Sequence, residues 1–392
     1  MKHTTPALAL ALALALPALA ACTDNTSSAT GGRDARTISV TSTDDSCRLS
    51  TDTAPAGNLV YQVQNKGSRV TEFYLYAEDG LRIVGEVENV GPGLSRSLVL
   101  NVPPGSYVPA CKPGMVGKGI RSAFTVTGAA KKGEQGAVAG VTRQQIETAD
   151  KQYQSYVRDQ TEQLLAGTKR FVAAYKAGND DLASSLYART RVHWERIEPV
   201  AESFGDLDPR MDLREADLAQ GQRWTGWHRI EKDLWPPSNG YRALSQRQRS
   251  TYADQLLADT ETLAARASEL SFTVDQIGNG AKSLLDEVAT GKVTGEEEAW
   301  SHTDLYDFQA NVDGARVAFE GLKPVLSHKD PVLERQIAQR FAALQRLLDR
   351  YRVGKDGFVS YTHLSTAQVR TLSNAVNGLS EPLSQLTAAV AL

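Results

Sequence analysis

Long apolar runs are absent from this 392-residue chain after its first twenty-two residues. A membrane-spanning helix needs about 20 consecutive apolar residues, so no later segment is predicted to cross a bilayer. An excess of basic charge is also lacking, because 43 Lys and Arg stand against 46 Asp and Glu, for a formal net charge of −3. This balance excludes a basic nucleic-acid-binding surface, and no nucleic-acid partner is expected.

Cysteine and histidine are scarce, with three Cys and six His in the whole chain. The cysteines are Cys22, Cys47 and Cys111, and no histidine lies between residues 37 and 127. A His-Glu-x-x-His sequence does not occur anywhere in the chain. That motif supplies two zinc ligands and a general base in many metallopeptidases, so its absence argues against a zinc peptidase.

The N-terminus has the pattern of a secretory signal. A short basic start precedes an Ala/Leu-rich run that is too short to span a bilayer stably. The run ends in Leu19-Ala20-Ala21-Cys22, which resembles a bacterial lipobox and predicts a signal peptide over 1–21 with lipidation of Cys22. The alternative is an ordinary signal peptide that is cleaved elsewhere. The small and polar residues of 22–36 predict a flexible, lipidated tether.

The remaining residues are too many for one ordinary core, so two domains are expected. Residues 37–128 are predicted to be a β-sandwich, because short β-branched and aromatic runs alternate with Pro/Gly turns. The predicted strands cover 37–41, 59–63, 72–76, 97–100 and 123–126. Residues 129–140 are predicted to be a linker.

Residues 141–392 change to helical periodicity and are predicted to form a helical bundle. Turn sequences rich in Gly, Pro and Asn separate the helices. The predicted helices are Arg143–Ala177, Asp180–Phe204, Thr225–Leu234, Ser245–Leu270, Val274–Thr290, Thr303–Leu326, Pro331–Arg352 and Thr366–Ala389.

A His-x-x-Glu pair lies in one of these predicted helices. His228 and Glu231 are three residues apart, so the imidazole and the carboxylate share one helix face and can converge on one point. Neutral imidazole and ionised carboxylate suit first-row divalent metals and iron. The spacing alone is weak evidence, since chance produces it often.

Upstream acids add to this pattern. Glu195, Glu198 and Glu202 share one helix face, and Asp212 lies in the acidic loop that follows. Helical bundles build metal sites from inward-pointing carboxylates and imidazoles on facing helices. The alternative is a solvated acidic face with surface ion pairs. His193 projects away from Glu195, so the two need not share a ligand set.

The chain resembles the EfeO family of extracytoplasmic iron-binding proteins over almost all of its mature length. The residues that carry the resemblance are 193–202, 204–209, 226–234, 301–314 and 351–358. The family implies a cupredoxin-like β-sandwich followed by an imelysin-type helical domain. It also implies that His228 and Glu231 carry metal, with Glu195 and Asp212 as the next carboxylates and Glu198 and His193 as further candidates. His302 opens a helix with Asp304, Asp307 and Asp313, for which structural roles are expected.

The resemblance further implies an EfeUOB-type iron uptake system. The expected function is capture of Fe²⁺ or Fe³⁺ and delivery to an EfeU-type permease, with an EfeB-type haem peroxidase as the other partner. Copper or zinc are alternative ions at the same or a second site. The protein is expected at the outer face of the cytoplasmic membrane, held by its lipid, and is not expected to be an enzyme.

The β-domain lacks the two histidines of a blue-copper site, which composition therefore excludes. The family pattern places a second metal site on Cys47, Cys111, Glu72, Glu86 and Glu88. The alternative is a disulfide between the two cysteines, which suits an oxidising compartment and is worth about 4 kcal/mol in the chain-entropy model.

Two other functions stay open at this point. The first is a zinc metallopeptidase, suggested only by the imelysin label. The second is binding of an acidic polysaccharide through divalent cations, with aromatic rings stacked on sugars. The tryptophans available for such stacking are Trp194, Trp224, Trp227, Trp235 and Trp300.

Overall fold

A computed structural model describes residues 36–78, 80, 83–115, 118–128, 140–238, 240–355 and 357–391. The predicted signal peptide, the lipidation of Cys22, nearly all of the tether and residues 129–139 of the linker lie outside the described residues. Within the described ranges, no helix combines the length and the apolar character needed to cross a membrane.

The N-terminal lobe is built of β-strands, as the sequence predicts. Its strands are β1 Thr37–Ser42, β2 Cys47–Leu49, β3 Thr53–Pro55, β4 Gly57–Asn65, β5 Thr71–Ala77, β6 Ile83–Val90, β7 Ser95–Val102, β8 Gly105–Cys111, β9 Ile120–Arg121 and β10 Phe124–Thr127. One sheet has the order β2-β1-β4-β7, and the other has the order β3-β10-β8-β5-β6, with β9 paired to β8. Four of the five predicted strands fall within these strands, and the fifth, predicted over 123–126, overlaps β10 but begins one residue before it.

The core of the β lobe follows from the alternation of side chains along the strands. Leu59, Tyr61 and Val63 of β4 are fully buried, whereas the residues between them are less buried. The Tyr61 ring lies 5.4 Å from the ring of Phe73 and 5.9 Å from that of Phe124, measured between centroids. These aromatic contacts join strands of both sheets, so the lobe is a two-layer β structure with one apolar interior.

Strands β6 and β8 were not predicted. β6 carries Glu86 and Glu88 in a segment for which no strand was predicted, and β8 contains Pro109 within a short run. β8 nevertheless pairs with both β5 and β10. Pairing with neighbouring strands therefore overrides the weak local preference of these two segments.

The C-terminal lobe is helical, as predicted. Its helices are α1 Gly140–Lys176, α2 Asp180–Glu195, α3 Leu207–Met211, α4 Trp227–Leu234, α5 Gln246–Glu269, α6 Val274–Thr290, α7 Asp304–Lys329, α8 Pro331–Leu348, α9 Thr366–Leu383 and α10 Leu386–Ala391. Short 3₁₀ helices cover Glu198–Phe204, Glu215–Asp217, Lys292–Thr294, Asp349–Tyr351 and Tyr361–His363, and β11 Arg352–Val353 pairs with β12 Gly357–Phe358.

The predicted helix Asp180–Phe204 is wrong in one respect, because it is divided. Helix α2 ends at Glu195, and a 3₁₀ helix begins at Glu198. Pro199 has no backbone N–H with which to continue the helical bonding to the Glu195 carbonyl. The Asn311 side chain of α7 donates to that carbonyl instead, at 3.0 Å. This break turns the chain just where the acidic residues of the predicted site lie.

The two lobes pack together into one compact unit. The Asn101 N–H of β7 donates to Asp275 Oδ2 at 2.9 Å, and the Asn279 side chain donates to the Val99 carbonyl at 2.8 Å. The Asn58 side chain donates to the carbonyl of Ala391 at 3.0 Å. Helix α6 and the C-terminal end of the chain therefore form the helical side of the contact with the β lobe.

Candidate metal centre

Buried acidic and basic side chains from five parts of the helical lobe meet at one place. They come from α2 and the start of the 3₁₀ helix that follows it, the C-terminal end of α3, α4, the segment from 292 to 298, and α7. The side chains are Arg191, Glu195, Glu198, Asp212, His228, Glu231, Lys292, Glu297, Glu298, Asp307 and Asn311. Every helix that contributes also packs an apolar face into the core, which fixes the polar side chains in place.

Helix α4 is held by its apolar face. Trp227 and Ile230 are fully buried, and the Trp227 ring lies 5.1 Å from Phe171 and 5.9 Å from Tyr187. The residues that follow each of them, His228 and Glu231, are therefore directed to the neighbouring face, where both are also fully buried. A short helix of eight residues thus presents two polar side chains in a fixed direction.

Glu231 fixes the orientation of the imidazole. Its Oε1 accepts backbone N–H groups of Trp300 at 3.1 Å and Ser301 at 2.8 Å. Its Oε2 lies 3.2 Å from Nδ1 of His228. A carboxylate that accepts one ring N–H of a histidine leaves the other nitrogen free to bind a metal. This arrangement directs Nε2 of His228 outward from α4.

Two carboxylates face this Nε2 atom. It lies 3.4 Å from Asp212 Oδ1 and 3.5 Å from Glu297 Oε1, and it has no hydrogen-bond partner among the described residues. Ligand atoms of Asp212, His228 and Glu297 lie within 4.8 Å of one another. The same holds for His228, Glu231 and Glu298 on the other side of the ring. One imidazole therefore separates two groups of possible metal ligands.

Gly226 allows α4 to start close to Asp212. Its φ of 86° is in the region that favours glycine, and a Cβ there would lie 2.1 Å from the carbonyl oxygen of Met211. Asp212, the next residue, accepts the indole N–H of Trp194 at 2.8 Å through Oδ2. Its Oδ1 is thereby left on the side of the imidazole.

We expect Gly226→Ala to lower the free energy of unfolding by about 2–4 kcal/mol and to weaken metal binding, since both φ and the Met211 carbonyl oppose a Cβ. Gly221 is the matched control, because it has a φ of 79° with nothing within 4 Å of its Cβ position. Gly221→Ala is expected to cost about 1 kcal/mol. Chemical denaturation of both variants measures the difference, and equal costs would contradict the role given to Gly226.

Arg191 supplies a buried positive charge to the cluster. Its side chain is fully buried, like that of Glu195 on the same helix. The guanidinium contacts five carboxylates, namely Glu195, Asp212, Glu297, Glu298 and Asp307. These contacts satisfy much of its charge within the protein interior, where an unpaired ion is very costly.

Lys292 supplies a second buried charge. Its Nζ lies 2.9 Å from Glu195 Oε2 and 2.7 Å from Glu198 Oε1. The Asn311 side chain donates to the same two carboxylates, at 2.9 Å and 2.6 Å. Glu195 and Glu198 are thus already neutralised and hydrogen-bonded by protein groups.

The carboxylates outnumber the permanent cations in this cluster. Burial disfavours ionisation and raises the pKa of Glu298 and Asp307 well above the ordinary value. Burial also opposes ionisation of Glu297, yet Lys292 and His228 lower its pKa to about 2. Burial opposes a charge on the imidazole too, but the surrounding carboxylates raise the pKa of His228 well above its ordinary value. An added cation therefore lowers the electrostatic cost of keeping these acids together.

Glu297 and Glu298 were missed by the sequence analysis. They follow Glu296 in a run of three glutamates, a pattern typical of a solvated surface turn. In the structure Glu296 is exposed, whereas Glu297 is 4% exposed and Glu298 is fully buried. The sequence feature that could have indicated a role for them is their position just before residues 301–314, which carry part of the family resemblance.

The structure brings His228, Glu231, Asp212 and Glu195 into the cluster, and it places His193 elsewhere. Nδ1 of His193 lies 2.9 Å from Gln160 Oε1 of α1, and burial lowers its pKa to about 4. His193 therefore contacts α1 rather than the acidic cluster.

Cys47 and Cys111 form a disulfide, with an S–S distance of 2.03 Å. The structure therefore has the disulfide alternative, and neither cysteine is a free thiolate that could bind a second metal. Among the associated glutamates, Glu72 and Glu88 both accept the Tyr74 hydroxyl, at 3.1 Å and 3.4 Å.

A cavity of about 460 Å³ lies between the lobes and reaches the cluster. Asp212 and Glu297 line it, together with Glu198 and Arg214. The β lobe contributes Glu86, Glu88 and Lys112 to the opposite wall. The Nε2 side of His228 thus adjoins a passage to solvent, whereas Glu231 and Glu298 do not line it.

Glu88, in the wall of this cavity, is expected to make the stability of the protein depend on pH. Burial, assisted by the like charge of Glu86, raises the pKa of Glu88 to about 9 in the folded protein. Because the unfolded carboxyl ionises near pH 4.5, stability from the protonated group is complete below that pH and is lost as pH rises toward 9. Glu88→Gln removes this titration. Between pH 7 and 9 we expect the free energy of unfolding to fall by about 1 kcal/mol less in Glu88→Gln than in the native chain, a figure reduced for solvent in the cavity.

Urea denaturation at pH 7, 8 and 9 measures this slope. The exposed Glu78→Gln is the control and should retain the native slope. Equal slopes for native protein and Glu88→Gln would show that Glu88 is ionised throughout the range.

The site and the fold can be compared with known proteins. The family model described as Imelysin (Peptidase_M75) matches residues 149–386, which is more than half of the chain. This match identifies the helical lobe as an imelysin-type domain.

The comparison with curated proteins is more specific. The chain is 37% identical over 368 residues to the iron uptake system component EfeO of Escherichia coli O157:H7, and the alignment covers 92% of each chain. It is 36% identical over 368 residues to EfeO of Escherichia coli strain K12, with the same coverage. The chain therefore belongs to the EfeO family. A crystal structure of a Parabacteroides distasonis protein covers 65% of this chain at 13% identity, and its TM-score of 0.48 is too low to support a shared fold.

Proposed function

We propose that this protein binds iron as a component of an iron uptake system, with the ion bound at Nε2 of His228 between Asp212 and Glu297. The observation that carries the proposal is the buried Nε2 atom, which has no hydrogen-bond partner among the described residues and faces two carboxylates beside a cavity. The names of the relatives, which are iron uptake system components, support iron as the ion.

The chemistry of the ligands agrees with this cargo. Carboxylates and an imidazole that has given up its second proton suit Fe²⁺ and Fe³⁺, and they also accept zinc or copper. Because the surrounding carboxylates raise the pKa of His228 in the ion-free protein, the ion displaces that proton when it binds. Glu231 orients the ring from behind, and Glu195 and Glu198 are already occupied by protein cations. The cavity gives the ion a path for exchange with solvent.

The proposal extends to location and partners. Lipidation of Cys22 would hold the protein at the outer face of the cytoplasmic membrane, which raises its local concentration beside an EfeU-type permease. Delivery of iron to that permease, with an EfeB-type haem peroxidase as a further component, is the proposed role. The β lobe is proposed to be a cupredoxin-like module without a blue-copper site.

We propose a binding protein and not an enzyme. The sequence offers no His-Glu-x-x-His pair for a zinc peptidase. Two of the five tryptophans of the polysaccharide alternative, Trp194 and Trp227, are fully buried and cannot stack on sugars, whereas the other three are partly exposed.

Crystals of the full mature chain soaked in iron, measured at the iron absorption edge, test the proposal. We expect one anomalous peak within bonding distance of His228 Nε2, Asp212 and Glu297. Peaks confined to the Glu231–Glu298 side of the ring would replace this ligand set with the other one. The absence of any peak at the cluster, in crystals with iron bound elsewhere, would refute the site.

A further inference from the structure

We propose that Arg191 competes with iron for Asp212 and Glu297, and that this competition sets how readily the protein releases the ion. The inference rests on the proposed function and adds to it an affinity-determining residue. The guanidinium of Arg191 contacts the same carboxylates that face Nε2 of His228.

The guanidinium and the imidazole share the same two oxygen atoms. Nη1 of Arg191 contacts Asp212 Oδ1, which lies 3.4 Å from Nε2 of His228. Nη2 lies 3.2 Å from Glu297 Oε1, which lies 3.5 Å from the same Nε2. An ion bound at Nε2 needs these oxygens as ligands, and both are already used by Arg191.

The other oxygen of each carboxylate does not offer a simple substitute. Asp212 Oδ2 accepts the indole N–H of Trp194 at 2.8 Å. Glu297 Oε2 lies 3.5 Å from Nη1 of Arg214. Rotation of either carboxylate toward the ion would break one of these contacts. Binding therefore requires the guanidinium to give up at least part of its contact with the two acids.

Acceptors for a displaced guanidinium lie on its opposite side. Nε of Arg191 is 2.6 Å from Glu298 Oε1 and 3.5 Å from Asp307 Oδ1. Both oxygens of Asp307 lack a hydrogen-bond partner within the part of the chain that the structure describes, and Asp307 is 1% exposed. Asp307 can thus take up donors that Arg191 withdraws from the iron ligands.

Lys292 provides an internal comparison. It is buried like Arg191 and carries the same charge, but its close contacts are with Glu195 and Glu198. Its Nζ is 3.8 Å from Glu297 Oε1 and does not contact Asp212. Removing Lys292 changes the net charge of the cluster by the same amount while leaving Arg191 on the iron ligands.

The test compares Arg191→Met and Lys292→Met with the native mature chain. Fe²⁺ affinity is measured anaerobically by competition with a chromogenic chelator, and the dissociation rate by transfer to excess chelator. We expect Arg191→Met to bind Fe²⁺ about tenfold more tightly and to release it more slowly, because a competing charge is removed from the ligands. Lys292→Met is expected to change affinity about threefold or less. A purely structural role for Arg191 would weaken binding instead.

Arg191→Lys keeps the measurement decisive if Arg191→Met does not fold without iron. A single ammonium group cannot hold both carboxylates in the geometry of a guanidinium, so this variant should also bind Fe²⁺ more tightly than the native chain. Native protein that binds iron, together with folded Arg191 variants whose affinity is unchanged or weaker, overturns this inference alone. Equal tightening by Arg191→Met and Lys292→Met would show a general charge effect and would also overturn it. Native protein that fails to bind iron overturns the proposed function itself.

Discussion

Replacing His228 by Ala is expected to lower iron affinity by at least about 100-fold. Within the described residues, the candidate ligand groups at Asp212 and Glu297 include a single nitrogen donor, the His228 imidazole, and Ala supplies none in its place. The substitution also removes the hydrogen bond that Nδ1 of His228 donates to Glu231. Equilibrium dialysis of the full mature chain against iron measures the effect.

The control is His363→Ala, which removes an exposed histidine of the same lobe. It should bind iron like the native protein. Thermal denaturation with and without iron gives a second measurement, because an ion that binds only the folded state raises the melting temperature. A native-like rise in the His228→Ala variant would contradict the ligand set.

In the iron-free protein, Arg191→Met is expected to lower the free energy of unfolding by about 3–5 kcal/mol. The substitution leaves buried carboxylates without their cation, and removing one partner of a buried ion pair has costs of this size. Among the described residues of the cluster, Arg191 contacts more carboxylates than Lys292 does, five in all. Urea denaturation of native and variant chains gives the difference.

Addition of Fe²⁺ should recover a larger part of the stability in Arg191→Met than it adds to the native chain. The exposed Arg350→Met is the control and should change stability by about 0.5 kcal/mol or less. An Arg191→Met variant as stable as the native chain would mean that the surrounding acids are protonated without cost.

The general architecture was predictable because it depends on periodicity. The change from short β-branched runs to helical spacing predicted a β-rich part followed by a helical part, and helices α4 and α5 begin and end near the predicted residues. Strands such as β6 were not predictable, because Glu86 and Glu88 face a cavity that only the second lobe creates. The local composition of β6 carries no information about contacts with the other lobe.

The site was predictable where ligands are near one another in sequence. His228 and Glu231 share a helix face, and Asp212 lies in a loop whose acidity is visible. Glu297 comes from a distant turn, and it was not found because its burial depends on packing against α2 and α4. Nor does the sequence tell which oxygen atoms Arg191 contacts, since side-chain geometry settles that question.

The location of the cavity has a mechanical consequence. Asp212 and Glu297 line it from the helical lobe, whereas another part of its lining belongs to the β lobe. A larger separation of the two lobes would widen the cavity and leave the distances among Asp212, His228 and Glu297 unchanged, because all three belong to the helical lobe. The width of the route from solvent to the cluster and the geometry of the cluster are therefore set by different contacts.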